Sequence, residues 1–345
     1  MSLSIDEARR LFLEADDAEL QALASEVRQR FHPPQQATYL IMSIINYTNI
    51  CIAKCDYCSF YRLPHQRGTY QLSLEEISAK IATLTSFGGT LVAFNGGFNP
   101  KLRLSDYAEL FATLHQRYPA LTFFEMTVAE FMFSCKVSKL SYSHGAALLK
   151  QAGTQWVTGG GAEVLSESFR QRHSPGKYRV SDYYQAQSAL IRAGIGSTAT
   201  MVIGFDESLD ERFAHLESLK NFQNEHHGAL PSFLCWTYKP WNNALGGNEI
   251  SLQEYLRWLA ICRIYLTNFS TIRTSVLTRN EGAFAALTYG ANDFDIPLED
   301  EVTQKAGATI SLDIASLLSS AENLGFTPLH RPPFKLPMSR DIPPQ

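Results

Sequence analysis

The chain has 345 residues, enough for one large domain or two of ordinary size. Hydrophobic residues make up 45% and charged residues 19%, so a sizeable core can be buried and a disordered chain is excluded. With 30 Lys and Arg against 34 Asp and Glu, the formal charge is −4, which argues against a general nucleic-acid binder.

Residues 4–31 read as helical. Ser4 and Glu7 have capping-box spacing, Leu20, Leu23 and Val27 follow a helical period, and Pro33-Pro34 ends the segment. A strand is expected at 38–45, then a helix at 73–87 opened by a second box, Ser73 and Glu76. Further strands are expected at 90–94, 121–126, 155–158, 196–203, 232–237 and 271–276. The helices after them are 105–118, 142–151, 182–193, 209–225, 251–268 and 281–289, with Ser251 and Glu254 spaced as a third box. These seven strand–helix alternations predict an α/β fold, a (β/α)8 TIM-type barrel. An open doubly wound sheet is the alternative, but no glycine fingerprint follows the first strand. The expected organisation is an N-terminal helical extension (1–34), the barrel (35–310), and a C-terminal helix with a proline-rich tail (311–345). Six prolines in the last 18 residues make that tail read as an irregular strap.

No secretory pattern opens the chain, and no uncharged apolar stretch reaches the roughly 18 residues of a spanning helix. A cytoplasmic protein with reduced thiols and no membrane partner is expected. Six cysteines in so long a chain do not make a disulfide scaffold. Cys51, Cys55 and Cys58 fall in one loop after the first strand, spaced C-x3-C-x2-C. Three thiolates so spaced can converge on one metal centre and leave a fourth position open, as in a [4Fe–4S] cluster with one free iron. Structural zinc is the competing reading, but it wants four closed ligands in paired hooks, and no second hook is present. The loop stands at the C-terminal end of a barrel strand, where active sites of this fold lie. Phe60 and Tyr61 would shield a cluster from water. Cys135, Cys235 and Cys262 read as buried small apolar groups.

Cys51-x3-Cys55-x2-Cys58, followed by the aromatic Phe60, resembles the signature of the radical S-adenosylmethionine (SAM) superfamily. The resemblance implies a [4Fe–4S] cluster on the three cysteines, with SAM chelating the open iron. It also implies a 5′-deoxyadenosyl radical that takes hydrogen from substrate. Further segments resemble the cyclic dehypoxanthine futalosine synthase branch, which serves menaquinone biosynthesis. They are residues 45–51, Gly96-Gly97-Phe98-Asn99-Pro100, Gly159-Gly160-Gly161-Ala162-Glu163, Ser197-Thr198-Ala199-Thr200-Met201, residues 236–240 and Gly290-Ala291-Asn292-Asp293. Together they cover roughly residues 5–327.

The resemblance implies cofactor-binding roles for Phe60, Gly96, Gly97, Asn99, Glu163, Thr198 and Thr200. Catalytic roles fall to Glu163 and Asp293, with Asp206 and Glu207 as further carboxylates able to take the last proton. Each also has a plain reading. Gly96-Gly97 lets the backbone approach a ligand or merely makes a turn. Thr198 and Thr200 share one strand face, toward a ligand or as barrel filling. Trp236, Tyr238 and Trp241 would form an aromatic wall for a nucleoside-like small molecule, or pack the core. Three positions depart from the branch: Asn95 for Gln, Phe124 for His and Val276 for Trp. The alternatives are a related enzyme with a changed substrate, such as an aminofutalosine synthase or a deazaflavin-precursor synthase relative, and a cluster-bearing barrel without catalysis. The expected electron donor is a flavodoxin or ferredoxin, with Lys54, Arg62, His65 and Arg67 as its basic docking patch.

Overall fold

The strands of the computed structural model, which describes residues 3–334, are all parallel. In chain order they are β1 (Gln36–Ile45), β2 (Leu91–Phe94), β3 (Thr122–Thr127), β4 (Trp156–Thr158) and β5 (Gly196–Ser197). Then come β6 (Ala199–Ile203), β7 (Ser232–Thr237), β8 (Thr271–Ser275), β9 (Asp293–Pro297) and β10 (Thr327–His330). The order is β5-β4-β3-β2-β1-β9-β8-β7-β6, with β10 added to β1. The two ends of this path, β5 and β6, are one chain segment parted by Thr198, so the sheet returns on itself. Counting them as one strand gives the eight of a (β/α)8 barrel.

The eighth strand, β9, lies where no strand was expected. Its sequence, Asp-Phe-Asp-Ile-Pro, carries two acids and a proline, all poor strand formers. Arg273 on β8 compensates both acids, Asp293 and Asp295, which makes the strand tolerable inside the barrel. Other differences are local. The segment 4–31 is two helices, Ile5–Glu14 and Asp17–Arg28, because the Asp16 side chain accepts from Glu19 N and starts a new helix. Helix Val128–Ser138 was not expected. It is buried on most sides, so its sequence shows no amphipathic period. Helix Glu167–His173 was also unexpected. At Ser251 only half of the expected box forms, because the Glu254 carboxylate turns to Arg212.

Pro328 is not in an irregular strap but in β10, beside Ala37 of β1. Arg331 then ties the chain to β1 and to Asp293, and Phe334 reaches the barrel interior. Pro337, Pro343 and Pro344 lie outside the described residues. No helix among the described residues is long and apolar enough to cross a membrane.

Candidate active site

A cavity of about 310 Å³ runs through the barrel, from the loop after β1 to Arg273, Asp295 and Phe334. Cys51, Cys55 and Cys58 line it at the C-terminal end of the strands. Their loop is held on every side by backbone bonds. Cys51 N donates to Arg62 O (2.9 Å), Ile52 N to Phe98 O (3.2 Å) and Asp56 N to His173 O (3.3 Å). Cys58 N closes a turn onto Cys55 O at 3.2 Å. The His173 ring sits between Asp56 Oδ2 (2.9 Å) and Asp206 Oδ1 (2.6 Å), which braces the loop from outside.

The neighbouring turn after β2 explains its glycines. A Cβ on Gly97 would stand 2.3 Å from Ile50 O and 2.7 Å from Cys51 Cβ. Only a residue without a side chain lets this turn lie against the cysteine loop. Both of its amides are already used. Gly97 N donates to Thr48 O (2.9 Å), and Gly96 N to the Glu130 carboxylate (2.9 Å). A carbonyl oxygen, not an N–H, is therefore what Gly96 can offer a ligand.

Glu130 escaped notice in the sequence, although Thr127-x-x-Glu130 has the spacing of a capping box. It is buried and also accepts from Tyr47 Oη and from Thr127 N (3.0 Å) and Oγ1 (2.7 Å). Burial raises its pKa to about 7 against the pull of these donors. It thus fastens the Gly96 turn, the loop after β1 and the end of β3 to one carboxylate.

Glu163 lines the cavity at a positive φ of 41°, a strained conformation of the kind found at functional sites. Its carboxylate meets Lys177 Nζ at 3.1 and 3.2 Å, and the same ammonium reaches Tyr57 Oη at 3.1 Å. Lys177 also lines the cavity and acts on all three cysteine thiols, opposing the rise that burial imposes on each. The Cys55 thiol is pushed up to about 12. No sequence signal marked Lys177, which stands in a loop.

Thr198 and Thr200 line the cavity, yet both hydroxyls hold the glycine run. Gly159 N donates to Thr198 Oγ1 (3.1 Å), and Thr200 Oγ1 donates to Gly159 O (2.7 Å). Phe60, Gly96 and Gly97 also face the cavity. Asn99 does not line it; it is buried in its turn, its Oδ1 accepting from Lys101 N at 3.1 Å.

Nor does the structure bring Asp293 to this cavity. Asp293 begins β9, at the opposite end from the cysteines, and its carboxylate is filled by Thr38, Arg273 and Arg331. Two residues on, Asp295 does line the cavity. Burial raises its pKa, and Arg273 opposes the rise. Asp206 and Glu207 are absent from the lining, being engaged by His173 and Arg212 respectively. Trp236 and Tyr238 face inward, whereas Trp241 is half exposed outside. Of the departing positions, Asn95 and Phe124 line the cavity. Val276 opens the short helix after β8 and borders a second cavity instead.

Three buried or half-buried free thiols on one cavity wall, beside the Lys177 ammonium, suit a group that takes thiolates. Among the described residues no three Cys, His, Asp or Glu side chains converge tightly enough for a single metal ion. Three cysteine thiols with no histidine beside them in the cavity lining are a donor set that suits an iron–sulfur cluster held by cysteines. The model of the radical SAM superfamily matches residues 45–219, and that of the CofH/MqnC C-terminal region matches 227–336. The chain belongs to the radical SAM superfamily. It is a radical SAM enzyme, and its cofactors are a [4Fe–4S] cluster and SAM.

Among radical SAM relatives, the cyclic dehypoxanthine futalosine synthase of Halalkalibacterium halodurans is 33% identical over 95% of this chain and 90% of its own. The aminodeoxyfutalosine synthase of Thermus thermophilus is 30% identical, over 89% and 84%. Among solved structures, methylornithine synthase superposes with a TM-score of 0.74 at 16% identity, covering 96% of this chain and 95% of its own.

Proposed function

We propose that this chain cyclises dehypoxanthine futalosine in the manner named for its relatives. The observation that carries the reading is one continuous cavity bearing the three cysteines, the Gly96-Gly97 turn and Glu163 at its mouth, with an aromatic and apolar interior below. Cys51, Cys55 and Cys58 would hold the cluster. The Gly96 carbonyl, Glu163 and Lys177 would receive the polar groups of SAM. When bound, the two cofactors supply reductive SAM cleavage and hydrogen abstraction from the substrate.

The chain's own residues do the rest. Glu130 and the paired threonines keep both glycine turns in place, so the reacting groups meet in fixed orientation. Phe98, Phe124 and Phe205 line the cavity and exclude water from a reactive intermediate. Asn95, just after β2, and Phe124 on β3 line the cavity where the branch carries Gln and His, so substrate contacts there would differ from those of the branch.

An acidic flavodoxin or ferredoxin would deliver electrons at the rim of the cysteine loop. There Lys54, His65 and Arg67 are exposed and Arg62 is half exposed. The test is an anaerobic assay of the reconstituted protein with SAM, reductant and dehypoxanthine futalosine. Cyclised product together with 5′-deoxyadenosine is the expected result. Deoxyadenosine without the cyclised product would remove the substrate from the reading and leave the radical chemistry.

A further inference from the structure

Below the cysteine loop, the cavity is lined by polar groups that the site described above leaves unused. We propose that Trp236, Arg273 and Asp295, on three neighbouring strands, form a recognition site for a neutral, hydroxyl-bearing part of the substrate, such as a sugar ring. This deepens the reading above and rests on it in one respect: a nucleoside-derived molecule enters the barrel.

The sheet register sets these groups together. Leu234 of β7 pairs with Arg273 of β8, and Arg273 with Asp293 of β9. One inward layer higher, Trp236 follows Leu234, and Asp295 stands beside Ser275. Trp236 and Asp295 therefore flank β8 in the same layer, with the Arg273 guanidinium rising between the two acids. Trp236, Arg273 and Asp295 all line the cavity.

Each has capacity to spare. The Trp236 Nε1–H is buried and meets no acceptor among the described residues. Such a donor costs stability unless something accepts from it. Asp295 is paired through Oδ1 to Arg273. Its side chain keeps 12% of its surface open, and it lines the cavity, so the carboxylate is within reach of a ligand. Asp293, by contrast, is filled by Thr38, Arg273 and Arg331, which makes it a structural group.

The charges decide the ligand class. Arg273 and Arg331 face Asp293 and Asp295, so the cluster is balanced without a ligand. The surrounding wall of Leu40, Leu91, Phe124 and Leu234 is apolar. An added anion there would be a buried, uncompensated charge. A hydroxyl instead donates to Asp295 and accepts from Trp236 or Arg273, and it leaves the balance intact.

The test is equilibrium binding of dehypoxanthine futalosine to the reconstituted holoenzyme with SAM and without reductant, so that no turnover occurs. Asp295→Asn should weaken binding roughly ten- to a hundredfold, the loss of a hydrogen bond to a charged group. Trp236→Phe keeps the Arg273 pair and should weaken it several-fold. Iron content and SAM affinity of each variant identify a misfolded sample. An anionic group at this site would bind Asp295→Asn more tightly, because a repelling charge is gone; tighter or unchanged binding overturns the proposal. If the wild type binds the compound but forms no cyclised product under reduction, the reaction assignment falls and the recognition site stands. If the wild type does not bind it, both fall.

Discussion

The Lys177 ammonium lies 3.1 and 3.2 Å from the two oxygens of Glu163, with both side chains turned into the cavity beside the cysteine loop. Burial opposes the charge on Lys177, but Cys55 and Glu163 hold it protonated. Removing the ammonium would leave a carboxylate that keeps only 16% of its surface open. Lys177→Met should therefore cost about 3 kcal/mol in denaturant unfolding, the lower end for a broken buried pair. The double variant Lys177→Met/Glu163→Gln should recover more than half of that loss. Equal losses in the single and double variants would show that the two groups are not coupled. In the reconstituted protein, Lys177→Met should also lower the midpoint potential of the cluster, because a cation near the thiolates favours the reduced, more negative state.

Glu130 makes a pH-dependent contribution whose sign follows from its burial. Its pKa is about 7 in the folded chain against an ordinary 4.5. The folded chain therefore holds this proton more tightly than the unfolded one. The contribution to stability is fully present below about pH 4.5 and is lost as pH rises through about 7. Glu130→Gln is neutral at every pH, so it should flatten the fall in stability across that window. Urea melts of both proteins at several pH values would show it as a difference in slope; parallel curves would mean that Glu130 does not titrate there.

The barrel and its cysteine loop were legible in the sequence because both have a local signature. Apolar strands alternating with capped helices give a parallel sheet, and three closely spaced cysteines point to a metal centre. What escaped depends on partners distant in sequence. The acidic strand β9 is stabilised by Arg273, 20 residues earlier, and by Arg331, 38 residues later. Asp293 and Asp295 look alike in sequence, and only the register shows which end of the barrel each one serves. Lys177 reaches Tyr57, 120 residues away, across a loop with no periodic pattern. The threonines of 197–201 were correctly set on one face, but their attachment to Gly159 is a tertiary fact.

The six cysteines should separate by iron content. Cys51, Cys55 and Cys58 share one cavity wall, whereas Cys135, Cys235 and Cys262 are buried away from it. Cys55→Ala should lose most of its iron after anaerobic reconstitution and the visible absorption that goes with it. Cys135→Ala should load like the wild type, since its thiol, carried by the buried helix Val128–Ser138, packs against Gly145. Equal loading of the two variants would move the cluster away from this loop.

Gly97 offers the sharpest steric test of how the cysteine loop is seated. An added Cβ would meet Ile50 O at 2.3 Å, and backbone cannot swing aside as a flexible side chain can. Either the turn or the loop must shift, and the bond from Gly97 N to Thr48 O is strained with it. Gly97→Ala should thus lower both iron loading and SAM affinity while the far end of the barrel stays folded. Gly176→Ala is the matched control. Its added Cβ would approach Ala53 O of the same loop no closer than 3.3 Å, a contact relieved by a few tenths of an ångström. The control should load nearly full iron, and circular dichroism melts should show both variants folded. If Gly97→Ala loads as fully as Gly176→Ala, the turn does not seat the loop, and the close approach of Gly97 serves packing alone.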